Sequence, residues 1–286
     1  MVILVRYAEI ALKSNYVRNA MEKALIRNLE SKLLEHRIQA KIERDRGHIY
    51  LTSDREQEVA SLVAKTFGVV SFSHCVKSGT GIAEIEQNVA ELVACHAEDK
   101  KTFAIRARRV GEFGFTSMEL AKHLGSVVLA KFPHFVVNLN EPELEIHVEV
   151  RQKGAYIYTE KLPGPGGLPY GTQGKVVGLI ENEADVVAAW LMMKRGCSMI
   201  CTGKEGYCKV LRRWAPVRIE GIESTMANAI AIAKKRNAQG IVSGMNPEKL
   251  LEVLPEPVEF PVFLPLAGLN ETVVSQLKVE IGVGKE

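Results

Sequence analysis

Histidine is absent from the last part of this chain: all seven fall before residue 148. The C-terminal third therefore lacks the commonest general base and the commonest metal ligand. No apolar run approaches the length of a membrane span, and the first ten residues read as a strand instead of a signal peptide. The expectation is a cytoplasmic protein with no membrane partner. Net charge is only +3, so bulk charge does not argue for nucleic acid, and an RNA-binding case has to rest on local basic patches. Cysteine is scarce and odd in number, five in all, and three of them (Cys197, Cys201, Cys208) are spaced C-x3-C-x6-C. That spacing matches no usual zinc site and has no histidine near it, so these read as reduced, packed thiols. Cys75 and Cys95 read as core residues. The glycine-rich loop GPGGLPYGTQG, from Gly164 to Gly174, has no Gly-Lys-Ser/Thr end, which excludes a Walker-type phosphate loop and leaves an interdomain linker.

What is present is the material of an ordinary globular protein. With 286 residues, 47% hydrophobic and 25% charged, the chain is long enough for two or three domains with their own cores. Residues 2–7 read as a strand, and Val17, Met21, Leu25, Leu29 and Leu33 mark an amphipathic helix over about 15–36. Two alternating runs, 38–42 and 48–51, join through Asp45-Arg46-Gly47 as a hairpin. A helix ending at Gly68 and a strand over 69–75 complete a β-α-β-β-α-β order, the pattern of a ferredoxin-like unit. A second α/β segment follows, with helices over about 83–97 and 117–131 and strands at 102–108, 135–139, 144–150 and 155–159. From Lys175 onward strands and helices alternate, as in a small doubly wound parallel sheet. Within it, strand-like pieces are expected at 198–201 and 209–211, and helices at about 182–194, 225–236, 247–253 and 271–280.

Two places carry chemistry. Arg106 and Arg108 share one face of a strand, Arg109 projects from its end, and Thr116-Ser117 opens a helix that bears Lys122. Guanidinium groups beside a helix N-terminus suit phosphate oxygens, and Phe113 and Phe115 offer stacking surfaces for an unpaired base. A solvated charged edge with two packing aromatics is the other reading. Lys13 and Arg18 flank the start of the first helix. The second place is the strand 176–180, the turn Glu181-Asn182-Glu183-Ala184-Asp185 and the helix after it. Its position is that of a phosphate site in α/β proteins, yet the turn has no glycine and three carboxylates.

Over nearly its whole length the chain resembles the tRNA 4-thiouridine synthetases. RYAEIALKSNYVRNAMEKALIRNL is similar to that family's opening strand and helix, and TFAIRARRVGEFGFTSMELAKHLG to its THUMP core. KLPGPGGLPYGTQGKVVGLI resembles the junction into the PP-loop domain, and AAWLMMKRGC the helix after the loop. The resemblance implies an α/β protein (α+β in its N-terminal part): a ferredoxin-like domain over 1–77, a THUMP domain over 78–165, a linker at 166–174 and a Rossmann-like PP-loop ATP-pyrophosphatase-type domain over 175–286. It implies that the first two domains dock tRNA, the THUMP domain at the acceptor end, with Arg106, Arg108, Arg109, Lys122, Lys13 and Arg18 as contacts. In the family the third domain adenylates uridine 8 and a persulfide cysteine supplies sulfur. Here the family loop Ser-Gly-Gly-x-Asp-Ser-Pro survives only as Asp185, with Leu179, Ile180 and Gly244 marking the rest of a vestigial nucleotide site. Family members carry a longer insert before the helix at 225–236, an arginine is missing near Phe263-Leu264-Pro265-Leu266, and the chain stops before the acceptor cysteine would fall. The expectation is a tRNA-binding protein with a degenerate PP-loop domain and no metal or cofactor, ATP with Mg entering only if the family activity survives. The alternatives are an active ATP-dependent sulfurtransferase making 4-thiouridine, and an adaptor recruiting a separate tRNA-modifying enzyme; a homodimer is open in each case.

Overall fold

In the computed structural model the described residues are all but 1, 8, 13, 46, 97, 99, 222, 224, 254–258, 285 and 286. The chain folds into two compact units that interleave in sequence: Met1–Val5 with Ala40–Ala60 and Phe72–Leu162, and Arg6–Gln39 with Ser61–Ser71 and Pro163–Glu286. The first break in the chain after the THUMP-like segment falls at Leu162–Pro163, so the loop expected as a linker belongs to the second unit.

A nine-stranded sheet runs through the first unit. Its strands are β1 (Val2–Arg6), β2 (Lys41–Asp45), β3 (His48–Thr52), β4 (Ser71–Ser78), β5 (Thr102–Arg109), β6 (Val136–Val137), β7 (Leu144–Arg151), β8 (Gly154–Tyr158) and β9 (Leu162–Pro163). The order is β2-β3-β1-β4-β8-β7-β5-β6, with β9 beside β4. β2 and β3 form the expected hairpin, Lys41 opposite Thr52 and Asp45 opposite His48. The strand expected at 135–139 shrinks to β6 because it is the sheet's open edge, where Val136 is exposed and only Phe135 is buried. On one face the helices α3 (Ile82–Ala94) and α4 (Ser117–Lys131) bury Ile85, Val89, Leu120, Leu124 and Val128 against Phe103, Ile146, Val148 and Ile157. Each such side chain contributes about 1.5–3 kcal/mol on burial. The opposite face is polar within: Arg151 donates to His48 Nδ1 at 2.6 Å, and the Tyr158 hydroxyl donates to Glu149 Oε1 at 2.8 Å. Cys75 is buried as expected. Cys95 is exposed, because α3 ends at Ala94 and leaves it at the C-cap instead of on the buried face.

The second unit holds the long helix α1 (Asn15–Glu35) and a five-stranded sheet. The helix between β3 and β4, α2 (Glu56–Val63), ends earlier than Phe67, in turns where Lys65 and Thr66 bond to Leu62 and Val63. The sheet strands are β10 (Lys175–Ile180), β11 (Ser198–Gly203), β12 (Arg218–Ile219), β13 (Gly240–Val242) and β14 (Val262–Phe263), in the order β12-β11-β10-β13-β14. Every pairing is parallel, which buries the sheet on both faces and explains the near-continuous apolar run VVGLI. Helices α5 (Glu183–Lys194), α6 (Glu205–Arg212), α7 (Met226–Arg236), α8 (Pro247–Val253) and α9 (Glu271–Ile281) complete it. One core gathers Phe67, Trp190, Met193, Cys201, Cys208, Leu211 and Trp214; the other gathers Val177, Leu179, Ile200, Ala229 and Ala233.

The strand expected at 209–211 is wrong: these residues lie in α6. Tyr207, Cys208, Val210 and Leu211 have the i, i+1, i+3, i+4 spacing of a helix stripe, and Cys208 and Leu211 are buried by it. The glycine-rich loop is held throughout: Gly68 donates to the Gly166 carbonyl at 2.8 Å, Leu168 to Lys194 at 2.9 Å and Gly171 to Gly196 at 2.9 Å. A Cβ at Gly167 would sit 2.1 Å from the Lys194 carbonyl oxygen, so the backbones touch there.

Candidate nucleic-acid interface

β5 presents Arg106 and Arg108 on the face away from α4, and they behave differently. Arg106 is spoken for: its Nε donates to Glu145 Oε1 and its other nitrogen to the Leu139 carbonyl, both at 2.6 Å. That bond, more than the nearby His147, holds the Glu145 carboxyl below its ordinary range. Arg108 is exposed, and its side chain makes no ion pair or hydrogen bond among the described residues. Arg109 turns back to its own loop, donating to the Gly111 carbonyl at 2.7 Å, while its amide donates to Ser117 Oγ at 3.1 Å. Lys122, on α4, is exposed, and its ammonium likewise makes no hydrogen bond or ion pair among the described residues.

The start of α4 is less open to phosphate than its sequence implies. Thr116 and Glu119 form a reciprocal cap, Glu119 N to Thr116 Oγ1 at 3.2 Å and Thr116 N to Glu119 Oε2 at 2.7 Å. Hydrogen bonds from Thr116 hold the Glu119 carboxyl below its ordinary range, so a charged carboxylate already sits at this helix end. Phe113 and Phe115 stack on each other, centroids 5.7 Å apart, and pack half-buried against the α3–α4 core. Arg18, on α1, is half-buried and engaged in contacts of the protein; Lys13 lies outside the described residues.

The second place lies where the order of the parallel sheet reverses, between the C-terminal ends of β10 and β13. In doubly wound sheets this crevice takes ligands. Here the chain's own side chains fill it with acceptors. Asp185 Oδ2 accepts from the amides of Glu181 (3.0 Å) and Asn182 (3.1 Å), and its Oδ1 from Gly244 (2.8 Å). Asn182 Oδ1 accepts from the amides of Ala184 (2.8 Å) and Asp185 (3.2 Å). Five backbone donors at the switch point therefore have protein partners, and Asp185 is buried, 3% exposed. Gly244 closes the space further: a Cβ there would lie 2.5 Å from the Ala184 carbonyl carbon. Leu179 and Ile180 are core residues, buried on either face of the sheet. Glu183 pairs with Lys278 at 2.8 Å and Glu181 with Lys204 at 3.9 Å, so the two glutamates repel an anion less than their sequence implies. The amides of this turn that would face a phosphate have acceptors within the protein. Among the described residues no cluster of three or more His, Cys, Asp or Glu could hold a metal.

Cys201 and Cys208 are fully buried and hydrogen-bonded to each other, which with burial pushes the Cys201 thiol up and keeps it neutral. Sequence reasoning missed one basic surface, the exposed side of α6 with Lys204, Lys209, Arg212 and Arg213. The helical spacing of its apolar residues was the available signal.

The fold and these surfaces define a THUMP protein: family models for the ThiI ferredoxin-like domain and the THUMP domain match residues 2–73 and 80–160. A protein named "Probable tRNA sulfurtransferase" from Methanothermobacter thermautotrophicus is 34% identical over 98% of this chain and 84% of its own. The chain belongs to the tRNA sulfurtransferase family. It spans about half the length of several other curated relatives, 52% and 50% in two cases. Among solved structures, PH1313 from Pyrococcus horikoshii superposes with a TM-score of 0.84 at 27% identity, covering 99% of both chains. A 4-thiouridine synthetase, solved in complex with RNA and bound ATP, superposes at 0.80 with 26% identity over 98% of this chain and 84% of that one. Among the described residues no helix is long and apolar enough to cross a membrane.

Proposed function

We propose that this chain binds tRNA, at its acceptor region, and does not carry out ATP-dependent thiolation. The observation that carries the second half is the switch point, where Asn182 and Asp185 accept from five backbone amides that a phosphate would need. A further support is length. The alignment to the Methanothermobacter relative runs over 334 positions against 286 residues here, which leaves at least 48 positions that this chain lacks. Binding of tRNA is supported by family membership, by the THUMP match and by two cations, Arg108 and Lys122, left without partners among the described residues. Arg106 and Arg109 act as struts of that surface, since each already serves an acceptor in its own domain.

Mobility shifts with tRNA at low and high salt test the first half: binding is expected at low salt, where phosphate-driven affinity is greatest, and to fall as salt rises. Calorimetry with ATP and Mg tests the second: no heat of binding is expected, and micromolar affinity would restore the active-sulfurtransferase reading.

A further inference from the structure

α6 and the segment that precedes it carry an arrangement that the switch point does not use. Its exposed side holds Lys204, Lys209, Arg212 and Arg213, with Glu205 as the one carboxylate on the helix itself and Glu181 paired to Lys204 from the turn after β10. Beside α6 lies a cleft of about 860 Å³, lined by Lys204, Lys209, Arg213 and Tyr207, by three glycines (Gly206, Gly282 and Gly284), and by Glu183, whose carboxylate is paired with Lys278 at 2.8 Å. Lys209 and Arg213 are one helical turn apart and so point the same way. Arg213 is steadied by a bond from its guanidinium to the Gly282 carbonyl at 3.1 Å, and Arg212 by one to Val217 at 3.2 Å, which leaves further N–H groups on each. Lys204 and Lys209 are about 60% exposed (63% and 61%), and their pairs with Glu181 and Glu205 are surface pairs that a polyanion can displace.

We propose that this cleft and helix face form a second RNA-docking surface, taking backbone phosphates of the tRNA. This rests on the tRNA-binding reading above. Several cations spread along one helix face match a repeating phosphate backbone, and contacts to phosphate give affinity without sequence readout. The three glycines of the lining let a ligand approach the main chain there without meeting a Cβ. Phosphoryl oxygens would be recognised equally on a small anion, and competition separates the two sources.

The experiment measures tRNA affinity across a salt series for wild type, Lys204→Gln/Lys209→Gln, Glu205→Gln and Arg108→Ala, with circular dichroism and thermal melting confirming the fold. The double variant is expected to flatten the plot of log affinity against log salt by roughly two, about one for each lost contact. Glu205→Gln, which frees Lys209, is expected to tighten binding, a gain that misfolding cannot mimic. An unchanged slope in a folded double variant, or no gain in Glu205→Gln, overturns the surface. Inorganic pyrophosphate that displaces tRNA better than sulfate of equal ionic strength overturns it in favour of a small-anion site. Failure of the wild type to bind tRNA overturns the parent reading as well; binding weakened by Arg108→Ala and indifferent to the α6 variants overturns this inference alone.

Discussion

The Asp185 carboxylate accepts a hydrogen bond from the Gly244 amide at 2.8 Å, although 59 residues separate the two in sequence. Its other oxygen accepts from Glu181 and Asn182, so one buried side chain joins the turn after β10 to the end of β13. At the switch point of this doubly wound sheet the Asp185 side chain is a structural clamp.

Removing the clamp should therefore destabilise the second unit. Asp185→Ala leaves three amides without their acceptor, at a cost on the order of 3 kcal/mol. Gly244→Ala brings a Cβ to 2.5 Å from the Ala184 carbonyl carbon, and relieving that overlap costs about 1–3 kcal/mol. Urea unfolding monitored by circular dichroism reads both; midpoints equal to wild type would show that the clamp holds nothing.

Arg108 and Lys122, whose side chains make no hydrogen bond or ion pair among the described residues, should matter to tRNA in a way that the engaged Arg106 does not. Arg108→Ala and Lys122→Ala should each weaken binding and reduce the salt slope by about one. Arg106→Ala should also lower thermal stability, because it abandons Glu145 and the Leu139 carbonyl. Filter binding beside thermal melting tests the contrast.

Lys32 sets a pH dependence. It is 6% exposed and donates to the Lys65 carbonyl at 2.5 Å. Burial, and then the like charge of Lys65, lower its pKa from 10.5 to about 7. Between those values the unfolded chain holds a proton that the native one has shed, so stability rises with pH across the window. It falls towards pH 7 at up to ~1.4 kcal/mol per unit for this one group. Lys32→Met should flatten that slope and be more stable than wild type at pH 7. Denaturation midpoints between pH 7 and 10 decide it; parallel slopes would remove Lys32 as the cause.

Thiol chemistry should single out Cys95. It is the exposed member of the five, whereas Cys75, Cys197, Cys201 and Cys208 are buried. Burial also pushes the Cys197 thiol up, which lowers its thiolate fraction at neutral pH. A thiol-specific reagent on the native protein should label one cysteine rapidly, and mass spectrometry should place it at residue 95. Rapid labelling of Cys208 would show that the dithiol opens.

Much of the fold is legible wherever local signals agree. α4 runs from Ser117 to Lys131 and α8 from Pro247 to Val253, the spans read from the sequence. α6 was illegible as a helix because Lys-Val-Leu taken alone has strand character; only Tyr207 and Cys208 before it reveal the turn. The two-residue strands β9 and β12 carry no pattern at that length. Of the candidate surface, the sequence shows where cations lie but not which are free: the acceptor of Arg106 is Glu145, supplied by the neighbouring strand 39 residues on. The clamp was half visible. Asn-x-x-Asp reads as a helix cap, but the tie to Gly244 arises only when β13 packs beside β10.

Interleaving imposes a schedule on synthesis. The Asn28 side chain of α1 donates to the Tyr170 carbonyl at 3.1 Å, across 142 residues of chain. A ribosome adding 5–20 residues per second emits that carbonyl on the order of ten seconds after the helix that awaits it. The Lys65 carbonyl that Lys32 of the same helix meets is made after only 33 residues, so α1 acquires its partners in two instalments and its unit cannot close until the later one arrives.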